Sequence, residues 1–337
     1  MKRAPDAEIA VLGAGSWGTA LAIQCARAGR HTRLWGRDAA LMRQLAAERC
    51  NHRYLPKAMF PEQLQIATDL AGAVAGAQDV LVAVPSGGFR EQLQLLKALL
   101  QEDQRLCWAT KGFEIATGRL PHQVAHEVFG ANRAMAVLSG PTFAREVGAG
   151  LPTAMTIASA EESYAAALAR DISSASFRAY TSTDIVGVEV GGAVKNVLAI
   201  GAGLSDGLGF GANARIAVIT RGLVEMMRLG VALGAQRETF MGLAGLGDLV
   251  LTCTDDQSRN RRFGLMLARG LAVDTALHEI GQVVEGYHAA RAVNQVAARE
   301  AVSMPIAEGI HDVLYTGLPV DQVIRRLMEQ PVRPEFD

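Results

Sequence analysis

A lysine interrupts the most apolar segment of the sequence. Residues 186–203 are almost all apolar or glycine, and only Glu189, Lys195 and Asn196 break the pattern. A helix that is apolar on every side is a buried helix, so Lys195 has no easy solvated face. Burial of an ammonium is unfavourable unless it has partners or gives up its proton readily. The segment therefore predicts a lysine that donates or accepts a proton, and the alternative is a lysine whose stem lies along an apolar surface.

Two further charged residues stand beside apolar runs. Lys111 follows the apolar run 106–109, which places it near the end of a predicted strand, although a lysine in that position is often an ordinary loop residue. Asp248 follows the glycine-rich run 242–247. Its carboxylate can cap the start of a helix or hold a neighbouring ammonium, and the two roles can coexist. Both residues are candidates for an active site.

Residues 258–262, Ser-Arg-Asn-Arg-Arg, bring together three arginines and two hydrogen-bonding side chains. Guanidinium groups bind phosphate oxygens in a bidentate manner, so this segment suits a phosphate dianion. The alternative is a solvated basic helix face balanced by Asp255 and Asp256. Taken alone the segment favours that alternative, and only the other motifs make it a candidate anion site.

A glycine pattern near the N-terminus indicates a nucleotide site. The strand-like run 9–12 leads into Gly13, Gly15 and Gly18, and a helical stretch, 19–28, follows. In this spacing the first glycine permits a tight turn, the second lets the backbone approach a pyrophosphate, and the third lets the helix pack on the strand. The order of strand, glycines, helix and second strand predicts dinucleotide binding, and a glycine-rich turn without a ligand is the alternative.

Arg37 follows the second predicted strand, where an acidic residue would hold the adenosine ribose of NAD. A guanidinium in this place can bind a 2′-phosphate and stack on adenine. The sequence therefore favours NADPH, although the adjacent Asp38 leaves NADH possible. The structural alternative for Arg37 is a solvated loop charge.

The elements that must position these residues change in character along the chain. Short Val/Ile/Leu-rich runs alternate with longer segments of helical spacing up to about residue 180, a pattern typical of βαβ units on a parallel sheet. The predicted strands are 9–12, 32–35, 65–67, 80–84, 106–109, 135–138, 154–158 and 177–180. The predicted helices after residue 183 are 185–227, 261–268, 275–278, 289–299 and 305–315. We therefore expect an α/β protein with an N-terminal Rossmann-like, mostly parallel sheet domain, residues 1–190, followed by an all-α C-terminal domain, residues 191–337.

Composition excludes several classes of protein. The 33 Lys and Arg residues nearly cancel the 34 Asp and Glu residues, so no overall field attracts nucleic acid. The four cysteines lie far apart, which favours free thiols in a reducing cytoplasm over disulfides. The seven histidines show no metal-ligand spacing, and no uncharged stretch is long enough to span a bilayer. We expect a cytoplasmic protein without a bound metal, a nucleic-acid partner or a membrane span.

Six motifs, taken in their order along the chain, indicate a protein family more specifically than the glycine pattern does. They are Gly-Ala-Gly-Ser-Trp-Gly (13–18), Thr-Lys-Gly (110–112), Ser-Gly-Pro-Thr-Phe-Ala (139–144), Gly-Gly-Ala-Val-Lys-Asn (191–196), Gly-Leu-Gly-Asp-Leu (245–249) and Ser-Arg-Asn (258–260). With these motifs the chain closely resembles the bacterial NAD(P)-dependent glycerol-3-phosphate dehydrogenases, from the first strand to at least Val-Val-Glu-Gly (283–286). Thr142 stands where many members carry serine, and the change keeps the hydroxyl.

The resemblance implies reversible hydride transfer between NAD(P)H and dihydroxyacetone phosphate, which gives sn-glycerol 3-phosphate for glycerophospholipid synthesis. It assigns catalysis to Lys195 as proton donor and acceptor, with Lys111 and Asp248. The implied substrate-binding residues are Lys111, Gly140, Thr142, Lys195, Asn196, Asp248, Thr252, Ser258, Arg259 and Asn260. The implied dinucleotide-binding residues are Gly13, Gly15, Ser16, Trp17, Gly18, Arg37, Tyr54, Lys111, Ala144, Arg259, Val283 and Glu285.

Two other functions would also use a dinucleotide-binding domain. A β-hydroxyacid dehydrogenase shares the architecture and a helix lysine, but the cluster 258–260 favours a phosphorylated substrate. A non-catalytic NAD(P)H sensor has no use for a buried proton donor. The apolar content of the helical domain suggests a homodimer.

Overall fold

The computed structural model describes residues 8–329 and residue 334. The chain divides into two compact units. The first comprises the chain up to Lys111 together with Pro121–Ile185, and the second comprises Gly112–Leu120 together with the chain from Val186 onward. Gly112–Leu120 groups with the second unit because Phe113 and Leu120 are buried in its core.

The first unit is built on an eight-stranded sheet, as predicted. The strands of the chain are β1 (Ile9–Leu12), β2 (Thr32–Trp35), β3 (Cys50–Asn51), β4 (Leu55–Met59), β5 (Leu64–Ile66), β6 (Asp79–Val82), β7 (Arg105–Trp108), β8 (Met135–Ser139), β9 (Thr153–Ala158) and β10 (Phe177–Ser182). The sheet order is β10-β9-β8-β7-β6-β1-β2-β5. Every neighbouring pair in it is parallel except β8 and β9. The expected mostly parallel sheet is confirmed.

Helices cover this sheet and bury its central strands. The helices of the first unit are α1 (Ser16–Arg27), α2 (Ala39–Glu48), α3 (Leu70–Val74), α4 (Phe89–Lys97), α5 (Pro121–Phe129), α6 (Ala144–Ala149) and α7 (Glu162–Ile172), with a short 3-10 turn at Ser86–Gly88. All four residues of β1 and all four of β6 are buried. Strands covered on both faces carry apolar side chains in both directions, which explains the continuous apolar runs in the sequence.

The second unit is helical, as predicted. Its helices are α8 (Ile185–Gly207), α9 (Gly211–Ala232), α10 (Asp248–Thr254), α11 (Arg259–Ala268), α12 (Val273–Ile280), α13 (Glu285–Arg299), α14 (Pro305–Tyr315) and α15 (Val320–Met328), with a 3-10 segment at Arg237–Met241 and a π-helical segment at Leu243–Gly247. The single helix expected over 185–227 is wrong. It divides into α8 and α9 because Gly209 and Gly211 adopt positive φ angles of 78° and 82°, which a continuing helix excludes.

Helix α8 is buried in the core of the second unit. It is long and apolar enough to cross a membrane, but 89% of its most apolar window is buried inside the protein, as in a core helix. The predicted domain boundary at residue 190 falls inside this helix. Lys195 and Asn196 thus lie in the middle of a buried element.

Candidate active site

Lys195 forms a buried ion pair with Asp248 in the second unit. The residue is 7% exposed, and Asp248 is 1% exposed. Lys195 Nζ donates to Asp248 Oδ1 at 2.5 Å and to Thr252 Oγ1 at 3.0 Å. Thr252 Oγ1 in turn donates to the backbone oxygen of Asp248 at 2.5 Å. Lys195 is therefore not a surface lysine with a buried stem: its ammonium itself is held inside the protein.

Close backbone contact brings Asp248 to Lys195. Gly191 lies one helical turn before Lys195, and a Cβ built on it would stand 2.3 Å from the backbone oxygen of Ala244. Only glycine permits this approach of the segment Leu243–Gly247 to α8. That segment is π-helical, a conformation that is frequent at functional sites, and Asp248 follows it directly as the first residue of α10. The glycines of the two motifs thus set the position of the carboxylate.

An amide network continues from Lys195 along α8. Asn196 Nδ2 donates to Glu285 Oε2 at 3.3 Å, and Asn260 Nδ2 donates to Asn196 Oδ1 at 2.9 Å. Asn260 Oδ1 accepts from the backbone N–H of Gly286 at 2.8 Å. The structure therefore brings together three predicted site residues, Asn196, Asn260 and Glu285, from three different helices.

The start of α11 has the features of an anion site. Ser258 is the N-cap, and its hydroxyl accepts from the backbone N–H of Arg261 at 3.2 Å. Arg259 is the first helical residue, and its guanidinium reaches Gln282 Oε1 at 3.3 Å. The unpaired N–H groups and the dipole of a helix N-terminus favour negative charge. Val283, the remaining predicted residue of this unit, is 44% exposed.

The arginines of this cluster have different environments. Arg261 is buried and binds Asp206 at 2.7 Å and Asp256 through its other terminal nitrogen. Arg262 is exposed. Both terminal nitrogens of Arg261 therefore already form ion pairs within the protein. Arg259 is the arginine of this segment that suits a phosphate.

Cys253 is adjacent to Thr252 in sequence and is fully buried. Burial raises the pKa of its thiol to about 12, although the nearby Lys195 acts in the opposite direction. The thiol therefore stays protonated at neutral pH and does not act as a nucleophile.

The glycine-rich loop of the first unit has the shape of a pyrophosphate cradle. A Cβ built on Gly13 would lie 2.4 Å from Ala83 O, and one on Gly18 would lie 1.9 Å from Gly13 O. By contrast, no atom lies within 4 Å of a Cβ built on Gly15. Ser16 and Trp17 open α1, whose first turn holds no acidic side chain. Close packing at the first and third glycines and open space at the second fit a dinucleotide.

Two of the predicted dinucleotide contacts, Arg37 and Tyr54, lie after β2 and in the β3–β4 hairpin. Arg37 is 73% exposed, and its guanidinium lies 3.7 Å from a carboxylate oxygen of Glu91. Asp38 caps α2, and its Oδ1 accepts from the backbone N–H groups of Ala40 and Leu41 at 3.0 Å. Tyr54 follows β3 in the hairpin loop. Asp38 thus has a structural role that its sequence position did not reveal.

Lys111 lies beside the other predicted substrate residues of the first unit. Its Nζ donates to Gly140 O at 3.5 Å, and Thr142 Oγ1 donates to the same oxygen at 3.2 Å. Gly140 has a φ of 151°, and a Cβ there would lie 2.9 Å from Met155 Cα. Ala144 begins α6. The motifs around Lys111 and Gly140 are therefore neighbours in space, as their positions after β7 and β8 require.

Sequence reasoning did not predict the contacts of Gly191 and Asn51, which shape these sites. Gly191 was part of a motif, but its contact with Ala244 depends on packing between distant segments. Asn51, a buried residue of β3, donates to Ala14 O within the glycine-rich loop. No motif pointed to Asn51, and the hairpin that carries it was not predicted. Among the described residues, no group of three or more His, Cys, Asp or Glu side chains is placed to hold a metal ion.

The glycine-rich loop lies at the carboxyl end of β1, and the helical unit contains a buried lysine–carboxylate pair. This combination is typical of dinucleotide-dependent dehydrogenases. The family described as "NAD-dependent glycerol-3-phosphate dehydrogenase N-terminus" matches residues 8–165, and the family described as the C-terminus of the same enzyme matches residues 184–325.

Individual relatives agree with these matches. A glycerol-3-phosphate dehydrogenase (NAD(P)+) of Cronobacter sakazakii is 56% identical over 313 residues, which cover 93% of this chain and 92% of that protein. Its counterpart in Aeromonas salmonicida is 56% identical over 328 residues, 97% of this chain and 98% of that protein. The crystal structure of glycerol-3-phosphate dehydrogenase from Coxiella burnetii has a TM-score of 0.93 and 45% identity, and covers 97% of this chain and 100% of that one. The chain therefore belongs to the NAD-dependent glycerol-3-phosphate dehydrogenase family of oxidoreductases, which confirms the resemblance found in its motifs.

Proposed function

We infer that the chain catalyses the reversible reduction of dihydroxyacetone phosphate to sn-glycerol 3-phosphate by NAD(P)H and so supplies glycerophospholipid synthesis. The observation that carries this inference is the buried contact of Lys195 with Asp248 and Thr252. A ketone reduction needs a proton at the carbonyl oxygen as the hydride arrives at carbon. A lysine ammonium held in a buried position is suited to deliver that proton.

Each residue of this contact has a separate role in the proposal. Lys195 protonates the developing alkoxide at C2 and takes the proton back in the reverse direction. Asp248 stabilises the ammonium and fixes its orientation, and Thr252 holds both groups in place through its hydroxyl. In a low-dielectric interior such fixed charges act strongly on the reacting oxygen.

The start of α11 binds the phosphate of the substrate in this proposal. Arg259 supplies the guanidinium, Ser258 a hydroxyl, and the helix N-terminus its backbone N–H groups. Asn260 and Asn196, linked at 2.9 Å, tie this helix start to the residue next to Lys195. The network therefore sets the phosphate site at a fixed position relative to the proton donor.

The glycine-rich loop and α1 of the first unit bind the dinucleotide, which when bound supplies or accepts the hydride. Gly13, Gly15 and Gly18 shape the loop, and Ser16 and Trp17 offer the first amides of α1. Lys111, beside Gly140 O and near Thr142, adds a positive charge for the ligands of this unit.

We propose NADPH as the preferred reductant, with NADH also accepted. The support is the pair of residues after β2: Arg37 is exposed and can take up a 2′-phosphate. The carboxylate of Asp38 is bound to two backbone N–H groups, so it is a poor ligand for the ribose hydroxyls that NADH presents. Tyr54, Lys111, Ala144, Arg259, Val283 and Glu285 remain proposed dinucleotide contacts.

Substitution of Arg259 tests the phosphate site. At saturating dinucleotide, Arg259→Ala is expected to raise KM for dihydroxyacetone phosphate by at least tenfold and to raise KM for unphosphorylated dihydroxyacetone much less. Arg262→Ala, which removes the exposed arginine of the same segment, is the matched control and should change neither KM. Equal effects of Arg259→Ala on both ketones would remove Arg259 from the phosphate site.

The same assay separates the proposal from its rivals. Reduction of a small keto acid in preference to dihydroxyacetone phosphate would favour a β-hydroxyacid dehydrogenase. Tight dinucleotide binding without turnover of either substrate would favour an NAD(P)H sensor.

We also propose a cytoplasmic homodimer. Four buried free cysteines, Cys25, Cys50, Cys107 and Cys253, suit a reducing compartment. Exposed apolar side chains of the helical unit, Phe210 and Ile216 among them, are candidates for burial between two copies. Light scattering of the purified protein measures its assembly state directly, and a monomer mass at micromolar concentration would contradict the dimer.

A further inference from the structure

Asn51 is a fully buried amide that links the β3–β4 hairpin to the glycine-rich loop. It is 0% exposed. Its Nδ2 donates to Ala14 O at 3.1 Å and to Thr19 Oγ1 at 2.9 Å, and its Oδ1 accepts from the backbone N–H of Tyr54 at 3.3 Å. Both ends of the side chain are therefore engaged, and each bond reaches a residue of the region proposed to bind the dinucleotide.

The bond to Ala14 determines how the loop presents its backbone. The oxygen of Ala14 and the N–H of Gly15 belong to one peptide unit, and the described chain contains no cis peptide bond. In a trans peptide the C=O and the N–H point in opposite directions. Because Asn51 holds the oxygen on the protein side, the N–H of Gly15 points to the opposite side. That is the glycine whose built Cβ meets no atom within 4 Å.

The bond to Thr19 fixes the other end of the same loop. Thr19 lies in the first turn of α1, and its backbone N–H donates to Gly15 O at 3.0 Å. One side chain thus spans from the middle of the loop to the start of the helix. It holds the helix N-terminus and the peptide of Gly15 in one fixed arrangement, as binding of a diphosphate requires.

We propose that Asn51 is a positioning residue for the dinucleotide: it orients the Ala14–Gly15 peptide toward the pyrophosphate and couples Tyr54 to the same loop. The proposal rests on the proposed function, because it assumes that the glycine-rich loop binds a dinucleotide. Asn51 itself does not touch the ligand. An amide suits this position, because its nitrogen donates to Ala14 and Thr19 while its oxygen accepts from Tyr54.

Asn51→Asp tests the proposal with almost no change in shape. A carboxylate cannot donate to Ala14 O, and its charge opposes a diphosphate. The expected result is a rise of tenfold or more in Kd for NADPH and for NADH, measured by nucleotide fluorescence, with KM for dihydroxyacetone phosphate unchanged within twofold.

Gln104→Glu is the matched control. Gln104 is a buried amide of the same unit that donates to Val74 O and Ala77 O and accepts from the backbone N–H of Gln101, away from the glycine-rich loop. We expect this variant to lower the Tm and to leave both Kd values unchanged at temperatures below its transition. Equal rises in Kd for the two variants would show a general loss of structure and overturn the proposal.

Thr19→Val provides a second test of the proposal if Asn51→Asp does not fold. It removes one partner of Asn51, keeps the side-chain volume, and is expected to raise both Kd values several-fold. A Kd within twofold of the parent in whichever variant folds would contradict the positioning role. Failure of the parent protein itself to bind either nucleotide would instead contradict the proposed function, so the two failures are distinguishable.

Discussion

At the residue scale, a carboxylate lies beside the arginine of the proposed 2′-phosphate site. Arg37 and Glu91 are both exposed, and their charged groups lie 3.7 Å apart. An exposed pair of this kind contributes little to stability. Its carboxylate, however, would stand close to an incoming phosphate and repel it. We therefore expect Glu91, which no motif indicated, to oppose NADPH binding.

We predict that Glu91→Gln increases the preference for NADPH. The ratio of kcat/KM for NADPH to that for NADH should rise two- to fivefold, because one repulsive charge is removed next to the 2′-phosphate. The effect should shrink at high salt, as expected for exposed charges. Steady-state kinetics with both nucleotides at two ionic strengths measure it. Glu62→Gln, which neutralises another exposed glutamate of the same unit, serves as control, and an equal shift in that variant would refute a specific role of Glu91.

At the element scale, the proposed active centre depends on how closely the segment before α10 approaches α8. Gly191 leaves room for the backbone oxygen of Ala244, and Asp248 follows from that contact. Any side chain at position 191 must move the π-helical segment away. Gly191 therefore influences the distance between Asp248 and Lys195, on which the proposed proton transfer depends.

We predict that Gly191→Ala lowers kcat by at least tenfold and destabilises the helical unit by about 1–3 kcal/mol, because the added methyl overlaps a backbone atom. Nucleotide affinity should change much less than kcat, since the glycine-rich loop lies in the other unit. Gly242→Ala is the control: a Cβ there would meet its nearest atom, Thr239 O, at an ordinary 3.4 Å. Normal turnover in Gly191→Ala would show that this approach does not position Asp248.

The elements also show what could be predicted from the sequence. β1 and β2 have the predicted bounds because each is followed directly by a glycine; β1 is continuously apolar, whereas β2 alternates buried and half-buried residues. The hairpin of β3 and β4 was missed because β3 has two residues and β4 contains Lys57 and Pro56 in place of an alternating pattern. The break between α8 and α9 was missed because apolar spacing continues across it, while two glycines end the helix.

The candidate site was only partly predictable for a related reason. Lys195 could be selected because local apolar sequence leaves its charge unsolvated. Its contact with Asp248 joins residues 53 positions apart, and that of Asn51 with Ala14 joins residues 37 apart. Contacts of this kind depend on packing, which local patterns do not encode.

At the scale of the whole molecule, the helical unit contains a buried acid that makes its stability depend on pH. Glu225 on α9 accepts from the backbone N–H groups of Ile306 and Ala307, at 2.8 and 3.1 Å, and so caps α14. Burial raises the pKa of its carboxyl to about 7, although these N–H groups act in the opposite direction. The folded state thus binds the proton more tightly than the unfolded state, whose ordinary value is 4.5.

The contribution of Glu225 to stability is therefore largest below pH 4.5 and falls as the pH rises to about 7. We predict that Glu225→Gln, which cannot ionise, loses this dependence. Relative to the variant, the parent protein should lose up to about 3 kcal/mol of stability between pH 4.5 and pH 8. Differences in Tm between the two proteins across this range measure the effect. A constant difference in Tm would mean that the carboxyl does not titrate in the folded protein in this window.

The central claim concerns the molecule as an enzyme: it reduces dihydroxyacetone phosphate with a nicotinamide dinucleotide and uses Lys195 as the proton donor. The most direct test is the rate of NADPH and NADH oxidation by the purified protein with this ketone, compared with Lys195→Ala. We predict rapid oxidation by the parent, faster with NADPH, and a loss of on the order of 100-fold or more in the variant. The Kd for NADPH should stay unchanged, which shows that the variant is folded. Near-normal turnover in Lys195→Ala, or no oxidation of either nucleotide by the parent, would contradict the account.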